Sequence, residues 1–175
     1  MNKTNLELKH YCTDFKRVRA VLKQLGASKE IVKQQKDYFF ALPINKDRTA
    51  PRLKLRIEGA AKTLIYYERP DFVKAKDTAS QVKLYTLENA SLLPLLEQAL
   101  GVTAIVEKKR EVWRKDHTVF HLDTVKGVGT IFEIELQKRG KITEQDKKLF
   151  SSYQAKLLPV LGEVIKGSNV DLVRK

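Results

Sequence analysis

Four stretches of this sequence alternate charged and apolar residues, and the charges are sorted by stretch. Arg52, Lys54 and Arg56 alternate with Leu53, Leu55 and Ile57. Glu133, Glu135 and Gln137 alternate with Phe132, Ile134 and Leu136. Asn5, Glu7 and Lys9 flank Leu6 and Leu8, and His121 and Asp123 flank Leu122. In an extended chain, residues two apart share a face, so each stretch carries one apolar and one charged side. A basic face suits phosphate oxygens, because arginine offers a bidentate fork and lysine a point charge. Two carboxylates two residues apart point the same way and repel. In a confined site one of them takes up a proton unless a cation joins them. Mg²⁺ characteristically uses one or two carboxylates, keeps some waters and shares substrate phosphates.

Two arrangements produce such faces. One is an ordinary solvated sheet with cross-strand ion pairs, each worth roughly 0.2–1 kcal/mol. The other is a closed or nearly closed sheet with a charged lumen, its apolar outside covered by helices. Charges buried there must be paired or meet a ligand. Clusters of both signs then call for an anion together with a cation, which a triphosphate with Mg²⁺ or Mn²⁺ supplies. The alternation by itself leaves both arrangements open.

The elements that would carry these faces follow from the same periodicity. Strands are expected at 5–9, 52–57, 64–69, 106–113, 118–123 and 130–137. Lys126-Gly127-Val128-Gly129 is the turn of a closing hairpin. A helix capped by Thr13 carries Val18, Val21, Leu22 and Leu25 and stops at Gly26. A second runs from about Ser91 to Leu100, and a third from Thr143 to about Pro159, which ends it. The expected class is α+β with a largely antiparallel sheet, in one domain over residues 1–175.

Composition bounds the rest. With 42% hydrophobic residues the chain can build a core. No apolar run reaches the roughly 20 residues of a spanning helix, and no signal-peptide stretch opens the chain. Cys12 is the sole cysteine, which excludes an internal disulfide or a Cys-based zinc site and makes a reducing cytoplasm the default. The net charge of +13 points to an anionic partner or to a lysine-rich solvated surface. His10, His117 and His121 are too scattered for a metal site, with only His121 sharing a face with an acid.

The order of these motifs resembles the CYTH family, the triphosphate tunnel metalloenzymes that include class IV adenylyl cyclases and thiamine triphosphatases. Asn5-Leu6-Glu7-Leu8-Lys9 is similar to its opening E-x-E-x-K, with Asn5 in place of the first acid. Asp37-Tyr38-Phe39-Phe40, Leu53-Lys54-Leu55-Arg56, Tyr67-Glu68-Arg69-Pro70 and Val106 to Arg110 resemble further motifs in family order. So do the His121–Gly129 segment and Phe132-Glu133-Ile134-Glu135. The resemblance implies an eight-stranded antiparallel β-tunnel with flanking helices. By position it makes Lys9, Arg52, Lys54, Arg56, Arg69, Lys108 and Arg110 phosphate binders. Lys76 is a weaker candidate. Glu7, Asp123, Glu133 and Glu135 would hold Mg²⁺ or Mn²⁺, and Glu7, Lys9, Arg56 and Glu133 would act in catalysis.

The expected function is metal-dependent phosphohydrolysis of inorganic, nucleoside or thiamine triphosphate. The alternatives are adenylyl cyclisation of ATP and a non-catalytic module binding polyphosphate or RNA. The lack of interleaved aromatics and of an RNA-binding signature argues against nucleic acid. No membrane partner is expected, and a homodimer is compatible with the reading. Asn5 removes one charge from the metal site and puts a two-metal mechanism in question.

Overall fold

A computed structural model of the protein describes residues 2–43, 49–70, 78–87 and 92–173, with side chains at 5–43, 51–67, 82–87 and 92–173. The elements in chain order are β1 (Asn2–Tyr11), α1 (Phe15–Gln24), β2 (Ser28–Phe40), β3 (Thr49–Glu58), β4 (Ala61–Pro70) and β5 (Thr78–Leu87). They continue with α2 (Leu92–Leu100), β6 (Val102–Lys115), β7 (Thr118–Val125), β8 (Gly129–Lys138), α3 (Glu144–Leu157) and α4 (Asn169–Val173). A 3₁₀ turn at Leu158–Val160 follows α3 where Pro159 interrupts it.

The strands form a closed antiparallel barrel in the order β1-β5-β4-β3-β2-β6-β7-β8. Closure rests on β1, which pairs with both β5 and β8. Two strands escaped the alternation pattern. The first half of β2 is exposed on both sides and interrupted by a bulge between Lys29 and Ile31. In β5 the polarity is inverted: Val82 and Leu84 face the lumen while Lys83 and Tyr85 face solvent.

The apolar outside of the barrel is covered as expected along β1, β7 and β8. Leu6, Leu8, Phe120, Leu122, Phe132, Ile134 and Leu136 form one core with Val18 and Leu22 of α1 and with Phe150, Tyr153 and Leu157 of α3. Fully burying each large side chain contributes about 1.5–3 kcal/mol. On β3, Leu55 is fully buried but Leu53 only half-buried. Asp14, rather than Thr13, caps α1: its carboxylate accepts from the Lys16 and Arg17 amides at 2.9 and 3.1 Å. Thr143 and Asp146 form a reciprocal capping box on α3.

The C-terminal segment folds back over one end of the barrel. Gly162 N–H donates to Tyr11 O at 2.8 Å and Ile165 N–H to Lys9 O at 2.9 Å. A Cβ at Gly162 would meet Tyr11 O at 3.0 Å, so only glycine fits this approach without adjustment. Ile165 and Val170 then pack on Phe39, Val106, Val125 and Ile131, which brings α4 to the tunnel end.

Candidate functional site

Barrel closure turns the charged faces inward. Asn5, Glu7, Lys9, Lys54, Arg56, Lys108, Arg110, His121, Glu133 and Glu135 all line one cavity of about 390 Å³. Register brings them together: Lys9 lies opposite Glu133, Glu7 opposite Glu135, His121 opposite Glu133, and Asp37 opposite Arg56. The lumen is not uniformly charged. Phe39, Ile65, Tyr67, Val82 and Leu84 give it an apolar wall on the β2, β4 and β5 side.

The cations stand in two groups, each held by a buried aspartate. Asp37 accepts from Lys54 at 2.7 Å and from both prongs of Arg56 at 2.7 and 2.8 Å. Asp123, fully buried, accepts from Lys108 at 3.0 Å and from Arg110 at 2.7 and 2.6 Å. Arg110 reaches on to Glu133 at 2.9 Å. Burial pushes both aspartyl pKa values up. The facing cations outweigh it: Lys54 and Arg56 hold Asp37 far below the ordinary range, and Arg110 and Lys108 do the same for Asp123. Both aspartates are therefore anionic anchors that fix the cations in place.

The cations respond unequally. Burial, reinforced by Arg56 and Lys108 against the opposing pull of Asp37, drives Lys54 down to about 7. Burial and Arg110 drive Lys108 down to about 8 despite Asp123. Burial also acts against Arg110, yet Asp123 and Glu133 raise it above the ordinary guanidinium value. The arginines are thus permanent charges and the lysines poised ones. Lys54 Nζ further lies 5.3 Å from the Phe39 ring centroid and 5.9 Å from that of Tyr67.

The acids gather across β1, β7 and β8. Lys9 donates to Glu7 at 2.8 Å and lies 3.4 Å from Glu133. The Asn5 amide donates to Glu135, and His121 Nε2 lies 3.2 Å from Glu135 Oε2. His121, Glu133 and Glu135 each offer a ligand atom within 4.8 Å of the others. Burial raises the Glu133 carboxyl, but Lys9 and Arg110 hold it well below the usual range. Burial and Arg110 depress His121, which favours the neutral imidazole. This donor set of two ionised carboxylates and a neutral imidazole fits a divalent cation, and the buried Asn5 Oδ1 has no hydrogen-bond donor among the described residues.

Other expected residues fall elsewhere. Asp123, grouped by resemblance with the acids, faces Lys108 and Arg110 instead. Arg52 pairs with Asp171 of α4 at 2.9 Å, outside the cavity lining. The Arg69 side chain, Lys76 and residues 44–48 of the expected 43–51 loop lie outside the described residues. His10 is buried against Gly162 O, and Cys12 is a buried free thiol. Two site residues were not expected. In the sequence Asp37 stands only within a family motif, and the β2–β3 register that sets it opposite Arg56 is not visible there. The three histidines are scattered in the sequence, and the β7–β8 register that brings His121 to Glu133 is not visible there either.

Comparison with known proteins agrees with this geometry. The family model of the CYTH domain matches residues 3–161. The chain belongs to the CYTH domain family. A Methanocaldococcus jannaschii protein, named provisionally as an adenylate cyclase, is 25% identical over 97% of this chain and 94% of its own length. Among solved structures, a Pyrococcus horikoshii protein superposes with a TM-score of 0.78 at 20% identity, covering 97% of this chain and 99% of that one. A Hippeastrum protein, described as a provisional adenylyl cyclase with a dominant triphosphatase activity, gives 0.64 at 16% identity over 97% and 95%. These structures share the CYTH tunnel fold, an eight-stranded antiparallel barrel with flanking helices. No helix among the described residues is long and apolar enough to cross a membrane.

Proposed function

We propose that this CYTH protein hydrolyses a triphosphate in the barrel lumen with the help of a divalent cation. The observation that carries the reading is the convergence of Lys54, Arg56, Lys108 and Arg110 with Glu133 and Glu135 in one cavity. A surface ion-pair network would serve stability alone. Here the cations are anchored from behind by Asp37 and Asp123 while still lining the open lumen.

In this reading Arg56 and Arg110 orient the phosphate chain, and Lys9, Lys54 and Lys108 neutralise charge that develops as the terminal phosphoryl group departs. Glu133 and Glu135, with Glu7 beside them, would hold the Mg²⁺ or Mn²⁺. A bound cation would supply Lewis-acid polarisation of phosphate oxygens and a more acidic water. Glu133, fixed between Lys9 and Arg110, stays ionised and so is ready to hold that cation. The triphosphate-containing ligand is a small molecule, and the protein acts as an enzyme.

A second reading is cyclisation of ATP. The apolar wall of Ile65, Tyr67, Val82 and Leu84 favours it, because that wall offers a surface for a base beside the phosphate cluster. The name of the archaeal relative points the same way. The two readings separate by product. Incubation with ATP and with inorganic triphosphate, each with Mg²⁺ or Mn²⁺, should release orthophosphate under hydrolysis. Cyclic AMP with pyrophosphate from ATP would establish cyclisation instead, and no product from either would contradict both.

A further inference from the structure

Metal sites that take Mg²⁺ are built from oxygen, usually charged oxygen. The acid cluster here departs from that in two ways. Its third donor is an imidazole, His121, and the neutral carboxamide of Asn5 is hydrogen-bonded to Glu135. His121 Nε2 and Glu135 Oε2 stand 3.2 Å apart. Two donors about 2.1 Å from one ion and tetrahedrally or octahedrally disposed lie ~3.0–3.4 Å from each other, so the spacing suits a shared ion without movement.

A second observation comes from unmet hydrogen bonding. Among the described residues no hydrogen-bond partner reaches the buried Oδ1 of Asn5, a residue only 8% exposed. A buried carbonyl oxygen without a donor carries a desolvation cost unless something fills the gap. The Asn5 oxygen sits on the same carboxamide whose nitrogen binds Glu135, which puts it beside the cluster.

We infer that His121, Glu133 and Glu135, with Asn5 beside them, form a mixed nitrogen–oxygen metal site that selects Co²⁺ or Zn²⁺ over Mg²⁺. The inference rests on the metal-dependent reading above and adds the donor and the selectivity. Imidazole suits Zn²⁺, Co²⁺ and other late divalent ions, whereas Mg²⁺ demands oxygen and dehydrates reluctantly. Glu133 and Glu135 bring two negative charges, and Glu7, opposite Glu135 in register, lies beside them with its carboxylate on Lys9. Lys9 and Arg110, both on Glu133, reduce its pull on a hard cation further. Affinity must then come from the softer nitrogen bond.

The test uses the whole protein, stripped of metal and titrated with Co²⁺, Zn²⁺ or Mg²⁺ alone. Calorimetry and the Co²⁺ visible spectrum are the readouts, and circular dichroism checks the fold of each variant. The wild type should bind Zn²⁺ and Co²⁺ at least ~10-fold more tightly than Mg²⁺. His121→Gln should lose at least ~10-fold in Zn²⁺ and Co²⁺ affinity, the lower end of what even outer-shell partners contribute. Its Co²⁺ bands should weaken and shift, with Mg²⁺ affinity changed less than about two-fold. His121→Asp, which restores an oxygen donor, should narrow the gap between Zn²⁺ and Mg²⁺. Equal affinity for Mg²⁺ and Zn²⁺, or a Co²⁺ spectrum unaffected by His121→Gln, would overturn the nitrogen-donor site. Triphosphate hydrolysis with Mg²⁺ alone, alongside those results, would leave the hydrolytic reading standing.

Discussion

Lys54 is the residue in which burial, charge and function meet most sharply. Its ammonium is surrounded by Asp37, Phe39 and Tyr67, with Arg56 and Lys108 nearby, and its pKa falls to about 7 from 10.5. A depressed lysine favours the unfolded state's protonation between those values. The unliganded protein should therefore gain stability as pH rises from about 7 towards 10.5 on account of this group. Ligand binding runs the other way. A triphosphate favours the charged form, so above pH 7 binding must take up a proton and affinity should fall as pH increases. Calorimetry in buffers of different ionisation enthalpy measures that uptake directly, and a pH-independent affinity from 6.5 to 8.5 would remove Lys54 from the anion site. Arg56 gives a complementary prediction. Losing a charged hydrogen bond is worth about 1.5–3 kcal/mol, so Arg56→Ala should weaken triphosphate binding roughly 10- to 150-fold. Asp37 keeps Lys54 as a partner in that variant, which limits the damage to the fold.

At the scale of elements, the barrel separates stability from function by face. Alternate residues of β1, β7 and β8 pack against α1 and α3, and the intervening ones line the lumen. Phe150 of α3 is 2% exposed and belongs wholly to the outer layer. Phe150→Ala should cost ~3–5 kcal/mol of unfolding free energy, read by denaturant melts. Triphosphate affinity of the folded fraction should stay within about two-fold, and a large loss of affinity would show that the two faces are coupled. The same separation explains what could be read in advance. Strands whose outer face is apolar and inner face charged, such as 52–57 and 130–137, announce themselves by alternation. β5 inverts the rule with Val82 and Leu84 inward, and the start of β2 has no buried face at all, so neither gave a signal. Lys108 and Arg110 lie on a strand with mixed faces, and only the family resemblance pointed them inward. The N-terminal ends of the expected helices were legible because capping chemistry is local, with Asp14 one position past the expected Thr13, whereas the short α4 had no such signal.

For the molecule as a whole, the net charge of +13 is not simply the charge of the tunnel. Within the lumen the described cations face Glu7, Asp37, Glu58, Glu133 and Glu135, so much of the local charge is compensated. The exposed cations among the described residues outside the lumen are screened by salt and should speed the approach of an anion more than they tighten the complex. What sequence could not supply was the pairing across the closed barrel. Asp37 finds Lys54 and Arg56 through β2–β3 register, and His121 finds Glu133 through β7–β8 register. Long-range register also brings the acids of β8 to Lys9 and Glu7 of β1, more than a hundred residues away, and this juxtaposition is the centre of the functional account. It is tested most directly by Glu133→Gln, assayed for metal-dependent orthophosphate release from triphosphate and, in parallel, for triphosphate binding without metal. The account predicts turnover reduced at least ~10-fold, since even outer-shell partners of a metal contribute that much, with metal-free binding unchanged or tighter because a repelling acid is gone. Full metal-dependent activity in the variant would show that the Glu133 carboxylate is structural, and would contradict the account.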